Sequence, residues 1–376
     1  MRELGLLTDA AFAIEDGVIT WVGLDSDAPR GDHEVDAHGN LVTPGFVDAH
    51  THVIFGGNRA NEFELRSQGA TYQEIKEAGG GIMSSVRATR EASFDELLSS
   101  ASERLQWMLA SGTTTVEVKS GYGLDFESET KMLQVAANLG PQRIVKTYLG
   151  AHAVPPESGS KGGYLESVIE QIAEFEQVAE FADMFVESGY FEPDDARRYF
   201  AATKLKPRLH VDQFTNNGGA KLAAELGAKT ADHLEQTDLE GIRALRQAGV
   251  IPVLVPGSVY CLGLTKYPEA RLMVDEGLPV VLATDFNPGS SPTPSLPFVM
   301  SLACTHMRMT PAEALSACTV NAAYSLDRDD LVGSIELGKQ ADFVLHDAQD
   351  YREIPYWAGR STVSQVFISG ERVYPC

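Results

Sequence analysis

From about residue 40 onward, short apolar segments alternate with segments of helical hydrophobic spacing. Strands that alternate with helices in this way are typical of βαβ units and a parallel sheet. Eight such pairs over about 280 residues predict a (β/α)₈ barrel of the TIM type, an α/β fold. The eight predicted strands end near His52, Glu117, His152, Glu187, His210, His233, Pro256 and Asp285.

Helix start signals lie between the predicted strands. Ser93-x-x-Glu96 has the spacing of a capping box, and apolar residues follow it at helical spacing. Thr237-x-x-Glu240 has the same spacing, and a proline follows Thr310 at the first helical position. We therefore expect helices to begin at these three points.

A doubly wound open sheet is the structural alternative for the same alternation of elements. Such sheets often carry a glycine-rich phosphate loop after the first strand. Neither G-x-G-x-x-G nor a P-loop pattern follows the first predicted strand here. The barrel is therefore the favoured fold.

The two ends of the chain differ from its middle. Residues 11–43 and 333–375 are rich in short alternating strands and turns. We expect both ends to pair into one small β-sandwich domain, residues 1–43 with 333–376, beside a barrel of residues 44–332.

Charge and composition limit the classes of partner. The formal net charge of −23 makes nucleic acid and anionic membranes unlikely partners, so we expect neither. The apolar runs are too short to cross a bilayer, and acidic residues interrupt the N-terminus where a signal peptide would be apolar. The four cysteines form no CxxC pair, which indicates reduced thiols in the cytoplasm. For the oligomeric state we expect a homodimer, the commonest symmetric assembly.

Two histidines one residue apart, His50 and His52, end the first predicted strand in FVDAHTHVIF. Side chains two residues apart on a strand point to the same face. At the carboxyl end of a barrel strand that face is the mouth, where catalytic groups gather. Two histidines satisfied by backbone or loop groups are the alternative, and the pair by itself leaves both interpretations open.

Three further strand ends carry metal-binding or proton-transferring side chains. His210 lies in RLHVDQF, His233 in KTADHLE and Asp285 in PVVLATDFNPG. Each alone is compatible with a structural role, such as a helix N-cap for the aspartate. Histidines and a carboxylate at the strand ends of one barrel suit Zn²⁺ or a similar divalent ion with an open position for water.

The blocks around these residues resemble the amidohydrolase superfamily. PGFVDAHTH, the later strand-end histidines, ATDFNPG and the tail GSIELGKQADFV carry that resemblance. HTHVIFGGNRANEF, VEVKSGYGL, LGAHAVPPE, HVDQFTNNGGA, ADHLE and TDFNPGSSPT are similar to blocks of the imidazolonepropionases, which act in histidine degradation. The resemblance covers nearly the whole chain.

What the resemblance implies is a hydrolase that opens the cyclic amide of 4-imidazolone-5-propanoate, a small molecule, to N-formimino-L-glutamate. It implies one divalent or trivalent metal ion per subunit, zinc or iron, held by His50, His52, His210 and Asp285. It implies seven substrate-binding residues: Arg59, Tyr122, His152, Gln213, Asn287, Gly289 and Ser290. Asp285 would also transfer protons, and His233 or the metal would stabilise the oxyanion. A guanidinium grips a carboxylate through two parallel hydrogen bonds, so Arg59 would supply positive charge that the acidic chain otherwise lacks.

Four positions of the chain, 119, 187, 213 and 290, bear on how closely it follows the family pattern. The family leads us to expect glutamate or glutamine at position 213; this chain has Gln213, whose amide cannot transfer a proton. Ser290 stands where threonine is usual, and relatives are expected to carry additional N-terminal sequence. Binuclear relatives place a bridging lysine on the fourth strand, where this chain has Glu187. Lys119 lies on the second predicted strand, so we expect it to be structural or to support the ligands.

Two other functions remain open. Another cyclic amidase or deaminase of the superfamily would share the metal ligands without needing Arg59, Tyr122 and His152. A non-catalytic scaffold of amidohydrolase type would be expected to have lost ligands, whereas all four expected ligands are present here.

Overall fold

The computed structural model of the chain describes residues 1, 3–70, 74 and 79–375. The strands within these residues are β1 (Ala10–Glu15), β2 (Val18–Leu24), β3 (Val42–Pro44), β4 (Phe46–Asp48), β5 (Thr113–Lys119), β6 (Arg143–Ala151), β7 (Phe181–Val186), β8 (Lys206–Val211), β9 (Thr230–His233), β10 (Ile251–Leu254), β11 (Val281–Leu282), β12 (Phe343–His346), β13 (Val363–Ile368) and β14 (Glu371–Tyr374). The helices are α1 (Ala60–Ser67), α2 (Ile82–Glu91), α3 (Phe94–Leu109), α4 (Phe126–Ala136), α5 (Lys161–Phe175), α6 (Pro193–Ala201), α7 (Gly219–Glu225), α8 (Leu239–Ala248), α9 (Pro256–Cys261), α10 (Ala270–Asp275), α11 (Leu296–His306), α12 (Pro311–Ala317), α13 (Val320–Ser325) and α14 (Glu353–Tyr356).

The central sheet contains β4 to β11 in chain order, and all neighbouring strands are parallel. Its first and last strands also meet. Thr51 forms a parallel bridge with Phe286, and the backbone N–H of His52 donates to the Phe286 carbonyl at 2.9 Å. The N–H of Asp285 donates to the carbonyl of His50 at 2.9 Å. The sheet therefore closes into a barrel, which confirms the predicted fold and excludes the open sheet.

A side-chain clamp reinforces this closure. Asp48 accepts hydrogen bonds from the backbone N–H and the hydroxyl of Thr284, at 3.1 and 2.6 Å. Burial raises the pKa of Asp48 to about 7, although the bonds from Thr284 oppose that shift. Asp48 precedes His50 by two residues, and Thr284 precedes Asp285 by one. The clamp therefore joins the two strand ends that carry His50 and Asp285.

Helix starts follow the predicted signals at two of three places. Ser93 and Thr310 are N-caps of capping boxes that begin α3 and α12, as predicted. At α8 the prediction is wrong by one residue. The N-cap is Asp238, whose side chain accepts a backbone N–H of the first turn at 2.8 Å. Thr237 instead donates its hydroxyl to the buried Asp212 at 2.7 Å, so it is not available to cap the helix.

The two chain ends form small antiparallel sheets beside the barrel. One contains β1 and β2, and the other has the order β14, β13, β12, β3. Ile19 of β2 packs with Phe343 of β12 and Phe367 of β13, and its N–H donates to the carbonyl of Lys339 at 2.8 Å. Elements from both ends thus contact each other. The exact boundaries after residues 43 and 332 stay a prediction.

None of the described helices is both long and apolar enough to span a bilayer. Three cysteines are free thiols: Cys261 and Cys304 are half-buried, and Cys318 is buried. Cys376 lies outside the described residues. The homodimer and the cytoplasmic location stay predictions.

Candidate active site

Four histidines and one aspartate converge at the carboxyl ends of the barrel strands. The ligand atoms of His50, His52 and His210 lie within 4.8 Å of one another, as do those of His50, His233 and Asp285. Asp285 Oδ1 is 3.6 Å from His50 Nε2 and 3.5 Å from His52 Nε2. His210 Nε2 is 3.4 Å from His52 Nε2. Strands far apart in sequence therefore deliver one compact, buried set of donors.

Two carboxyl groups fix the tautomers of two of these histidines. Asp232 Oδ2 lies 2.7 Å from His50 Nδ1, and Asp183 Oδ1 lies 3.0 Å from His210 Nδ1. A carboxylate accepts hydrogen bonds, so each Nδ1 carries the proton and each Nε2 presents a lone pair to the centre of the site.

The donor set fits a metal ion. His50 Nε2 is buried and has no hydrogen-bond partner among the described residues. A buried nitrogen lone pair without a partner destabilises the fold unless it accepts a hydrogen bond or binds a cation. Burial and nearby Lys119 lower the pKa of His50 well below its usual range, which keeps the imidazole in its neutral, metal-binding form. Three imidazoles and a carboxylate are ligands that zinc and iron accept.

Asp285 has the environment of a proton acceptor. Burial raises its pKa to about 6, while His233 and His210 favour the charged form. The Ser290 hydroxyl lies 3.4 Å from Asp285 Oδ2 and can donate to it. A carboxylate with a pKa near neutrality is suited to take up and return a proton.

Asn287 organises the loop that follows Asp285. Its amide donates to the Asp285 carbonyl at 2.6 Å and to the Ser290 hydroxyl at 2.9 Å. Its Oδ1 accepts the N–H groups of Gly289 and Ser290, both at 2.8 Å. The amide is thus used within the loop, and its predicted contact with substrate stays a prediction.

His233 pairs with an acidic residue that sequence reasoning missed. Its Nδ1 is 3.4 Å from Glu235 Oε1. Burial disfavours the imidazolium, but the carboxylates of Glu235, Asp285 and Asp232 together outweigh it and raise the pKa of His233 to about 8. Its backbone φ of +80° is rare for a residue other than glycine and is typical of functional sites. At neutral pH the ring therefore carries positive charge beside Asp285.

Arg59 is held at the mouth by Glu62, another residue that sequence reasoning missed. Arg59 Nε and Nη2 donate to Glu62 Oε2 at 2.8 and 2.6 Å. The second oxygen of Glu62 accepts from the N–H of Gly81 at 3.0 Å and from the Ser84 hydroxyl at 3.1 Å. One edge of the guanidinium is thus occupied, and the edge between its two terminal nitrogens still has N–H donors to offer.

Gly289 provides the surface against which Arg59 lies. A Cβ added at Gly289 would be 2.0 Å from Arg59 Nη1. Arg66, one helical turn after Glu62, donates to the Gly289 carbonyl from Nη1 and Nη2 at 3.2 and 3.3 Å. Helix α1 and the loop after Asp285 therefore meet at this glycine.

Two further predicted residues form an aromatic wall beside the histidines. The ring of His152 stacks on His52, with centroids 5.2 Å apart, and the ring of Tyr122 is 5.5 Å from His152. His152 Nδ1 donates to the Gly121 carbonyl at 2.9 Å, which leaves Nε2 as an acceptor. Burial lowers the pKa of His152 to about 3, so the ring is neutral. Gln213 is buried two residues after β8.

The supporting acidic residues had only a weak signal in the sequence. Asp183 interrupts the apolar strand FADMFV, and Asp232 lies inside TADH. A charged residue within a buried strand needs a partner, but the partner comes from another strand and is not visible in a single sequence.

Residues 41–373 match the family model described as the amidohydrolase family. The chain belongs to the amidohydrolase family. An imidazolonepropionase of Solibacter usitatus (strain Ellin6076) is 51% identical over 100% of this chain and 93% of that protein. An imidazolonepropionase of Geobacillus thermodenitrificans (strain NG80-2) is 47% identical over 99% of this chain and 92% of its own. The resemblance predicted from the sequence is therefore confirmed.

Comparison with a solved structure of another protein shows that the two chains have the same fold. The 5-methylcytosine deaminase of Klebsiella pneumoniae liganded with 5-fluorocytosine superimposes with a TM-score of 0.76, covering 99% of this chain and 95% of that one. The sequence identity is 16%, so this likeness concerns the fold alone.

Proposed function

We propose that this amidohydrolase hydrolyses the cyclic amide bond of 4-imidazolone-5-propanoate to N-formimino-L-glutamate, the imidazolonepropionase reaction of histidine degradation. The observation that carries the proposal is the position of Arg59. Its guanidinium lies against Gly289, four residues beyond the metal-site Asp285. A cation for the propanoate thus stands next to a hydrolytic site. Relatives that bear the imidazolonepropionase name over nearly their full length support the same reaction.

The metal would be held by His50, His52, His210 and Asp285, whose donor atoms already face one another. When bound, the metal would lower the pKa of a water molecule towards neutrality, as zinc does, to about 7, in the best-known enzyme case. Either zinc or iron is compatible with imidazole and carboxylate ligands.

Asp285 transfers the proton, and His233 stabilises the negative charge that develops on the carbonyl oxygen. As water attacks the ring carbonyl carbon, Asp285 accepts its proton, which its pKa of about 6 allows at neutral pH. His233, whose pKa of about 8 keeps it protonated, donates a hydrogen bond to the carbonyl oxygen as negative charge develops there. Asp285 then returns the proton to the ring nitrogen while the carbon–nitrogen bond breaks.

The remaining residues orient the small-molecule substrate. Arg59 would bind the propanoate through the edge that Glu62 leaves free. His152 would accept a ring N–H at Nε2, because its Nδ1 is used by the Gly121 carbonyl. The other proposed substrate contacts are Tyr122, Gln213, Asn287, Gly289 and Ser290.

Removal of the metal provides the first test. Incubation with freshly generated imidazolone-propanoate should yield formiminoglutamate, and a chelator should abolish the yield because the proton acceptor alone cannot activate water enough. Zinc or ferrous iron added back should restore turnover, and metal analysis should give one ion per subunit. Full turnover by metal-free protein would contradict the proposal, and a folded chain without metal affinity would favour the non-catalytic scaffold.

Gly289→Ala tests the contact with Arg59. The new methyl group must displace the guanidinium, since the two would lie 2.0 Å apart. The backbone of Gly289 is outside the left-handed region, so alanine fits its conformation. The atoms that must move are those of the Arg59 guanidinium, at the end of a flexible side chain. We therefore expect the free energy of unfolding, followed by thermal melting, to change by no more than about 1 kcal/mol. KM for imidazolone-propanoate should rise roughly tenfold or more.

Gly162→Ala, in α5, is the matched control because a Cβ there meets no atom within 4 Å. It should leave both KM and melting unchanged. An unchanged KM in Gly289→Ala would show that Arg59 does not need its present position.

A further inference from the structure

Five charged side chains lie inside the barrel, next to the metal-site histidines. Each is 0% exposed, and they are Glu117, Lys119, Asp183, Arg208 and Asp232. Apolar side chains usually fill the interior of such a barrel. Burial costs several kcal/mol for each ion even after relaxation. A layer of five such groups therefore calls for a functional explanation.

Lys119 stands at the centre of this layer. Its Nζ donates to Asp183 Oδ2 at 2.7 Å and to Glu117 Oε1 at 2.8 Å, and lies 3.7 Å from Asp232 Oδ2. Two carboxylates accept hydrogen bonds from this nitrogen and a third lies near it, so it is held as an ammonium. A bridging ligand would instead have to offer a lone pair.

Two of those acidic residues are the ones that hold metal-site histidines. Asp183 contacts Lys119 with one oxygen and His210 Nδ1 with the other, at 2.7 and 3.0 Å. Asp232 uses the oxygen nearest Lys119 to accept from His50 Nδ1 at 2.7 Å. The ammonium is thus hydrogen-bonded to the carboxylate that holds His210. It lies near the carboxylate that holds His50, but beyond hydrogen-bond distance of it.

Arg208 supplies charge to the layer but does not bond these carboxylates. Its guanidinium donates to the carbonyls of Ala49 and Ser325 at 2.7 and 3.1 Å. Its nitrogens remain 3.6 Å from Asp232 and 3.7 Å from Glu117. Lys119 is therefore the cation that hydrogen-bonds Asp183, whereas neither Lys119 nor Arg208 lies within hydrogen-bond distance of Asp232.

We propose that Lys119 is a positioning residue for the metal site, which sets the imidazole of His210 through Asp183. The inference rests on the proposed metal ligands and is independent of the identity of the substrate. Residues that orient metal-binding histidines change metal affinity by roughly 10–100-fold when removed. A residue that only balances charge would change stability instead.

Lys119→Met removes the ammonium and keeps most of the side-chain length. We expect the affinity for Zn²⁺, measured by competition with a chromophoric chelator, to fall roughly 10–100-fold. The visible absorption spectrum of the Co²⁺-loaded protein should also change, because it reports the geometry of the ligands. Thermal melting of the metal-free protein measures the accompanying loss of stability separately.

A double variant keeps the test valid if the single variant does not fold. Lys119→Met with Glu117→Gln removes one positive and one negative charge, so the net charge of the layer is preserved. We expect it to fold and still to bind Zn²⁺ weakly with an altered Co²⁺ spectrum. Glu117→Gln alone should bind metal almost normally, because Glu117 is hydrogen-bonded to Lys119, Thr147 and the backbone N–H of Thr51 and not to a histidine side chain. The amide oxygen of glutamine can still accept from Thr51.

The outcomes separate this inference from the proposed function. If the unmodified protein binds no stoichiometric metal, the proposed metal site itself fails. If it binds one ion and either variant without Lys119 binds Zn²⁺ with the same affinity and the same Co²⁺ spectrum, Lys119 is only a counter-charge and the inference is overturned.

Discussion

Replacing Asp285 by asparagine is expected to reduce kcat for imidazolone-propanoate by at least about 10³-fold while the metal-free protein stays folded. A positioned general acid or base typically contributes about 10²–10⁴-fold, and this carboxylate also faces two histidine ligands. The side chain of asparagine has the same size. It also tolerates the backbone φ of +52° found here, because asparagine is one of the few residues that adopt the left-handed region.

Asp48→Asn is the matched control. Asp48 undergoes the same chemical change, is equally buried and lies on the strand adjoining Asp285, but it clamps the barrel through Thr284 and has no part in the proposed chemistry. We expect this variant to lower the melting temperature and to keep most of its turnover per folded molecule. Near-normal turnover in Asp285→Asn, with metal still bound, would remove Asp285 from the mechanism.

The barrel and the position of the proposed metal ligands could be predicted because the relevant information is local and repeated. His50 and His52 point to one face by the geometry of a single strand. Once each apolar segment is taken as a barrel strand, its carboxyl end is assigned to the same rim, whatever the distance in sequence. His210 and Asp285 follow from that one assumption, and their ligand atoms do meet the pair.

The network around the ligands could not be predicted, because it depends on which side chains face each other across the barrel. Lys119 lies on the second barrel strand, as predicted. Its bond to Asp183, however, is known only from the closed barrel. The error at Thr237 has the same origin. Its hydroxyl donates to Asp212, the residue that follows the neighbouring strand β8. This tertiary hydrogen bond replaces the local capping bond that the sequence pattern predicts.

Glu62 shows a further limit of sequence reasoning. It lies three residues after Arg59, on the first turn of α1, and a surface helix carries many such pairs. Here the glutamate is buried, with 9% of its side chain exposed, and also fixes Gly81 and Ser84. Only burial separates this pair from an ordinary surface ion pair, and burial is a property of the fold.

Arg59→Ala should lower kcat/KM for imidazolone-propanoate roughly 10²–10⁴-fold, mainly by raising KM. Two hydrogen bonds to a charged carboxylate contribute about 1.5–3 kcal/mol each, and a factor of ten in rate or binding corresponds to about 1.4 kcal/mol. The net charge of −23 increases the need for this cation, because the rest of the chain repels an anionic substrate. Steady-state kinetics and metal analysis together measure the effect, and metal content should not change.

Arg66→Ala separates the specific grip of Arg59 from simple charge. It removes the same charge from α1, the helix that Arg59 immediately precedes, but Arg66 donates to the Gly289 carbonyl and is not placed to grip the propanoate. We expect a loss in kcat/KM of less than about tenfold. An imidazolone without the carboxylate arm provides the second comparison, because the unmodified protein and Arg59→Ala should turn it over equally slowly. If Arg59→Ala instead kept full activity on imidazolone-propanoate, the guanidinium would not bind the propanoate, and another cyclic amide of the same family chemistry would become the better candidate substrate.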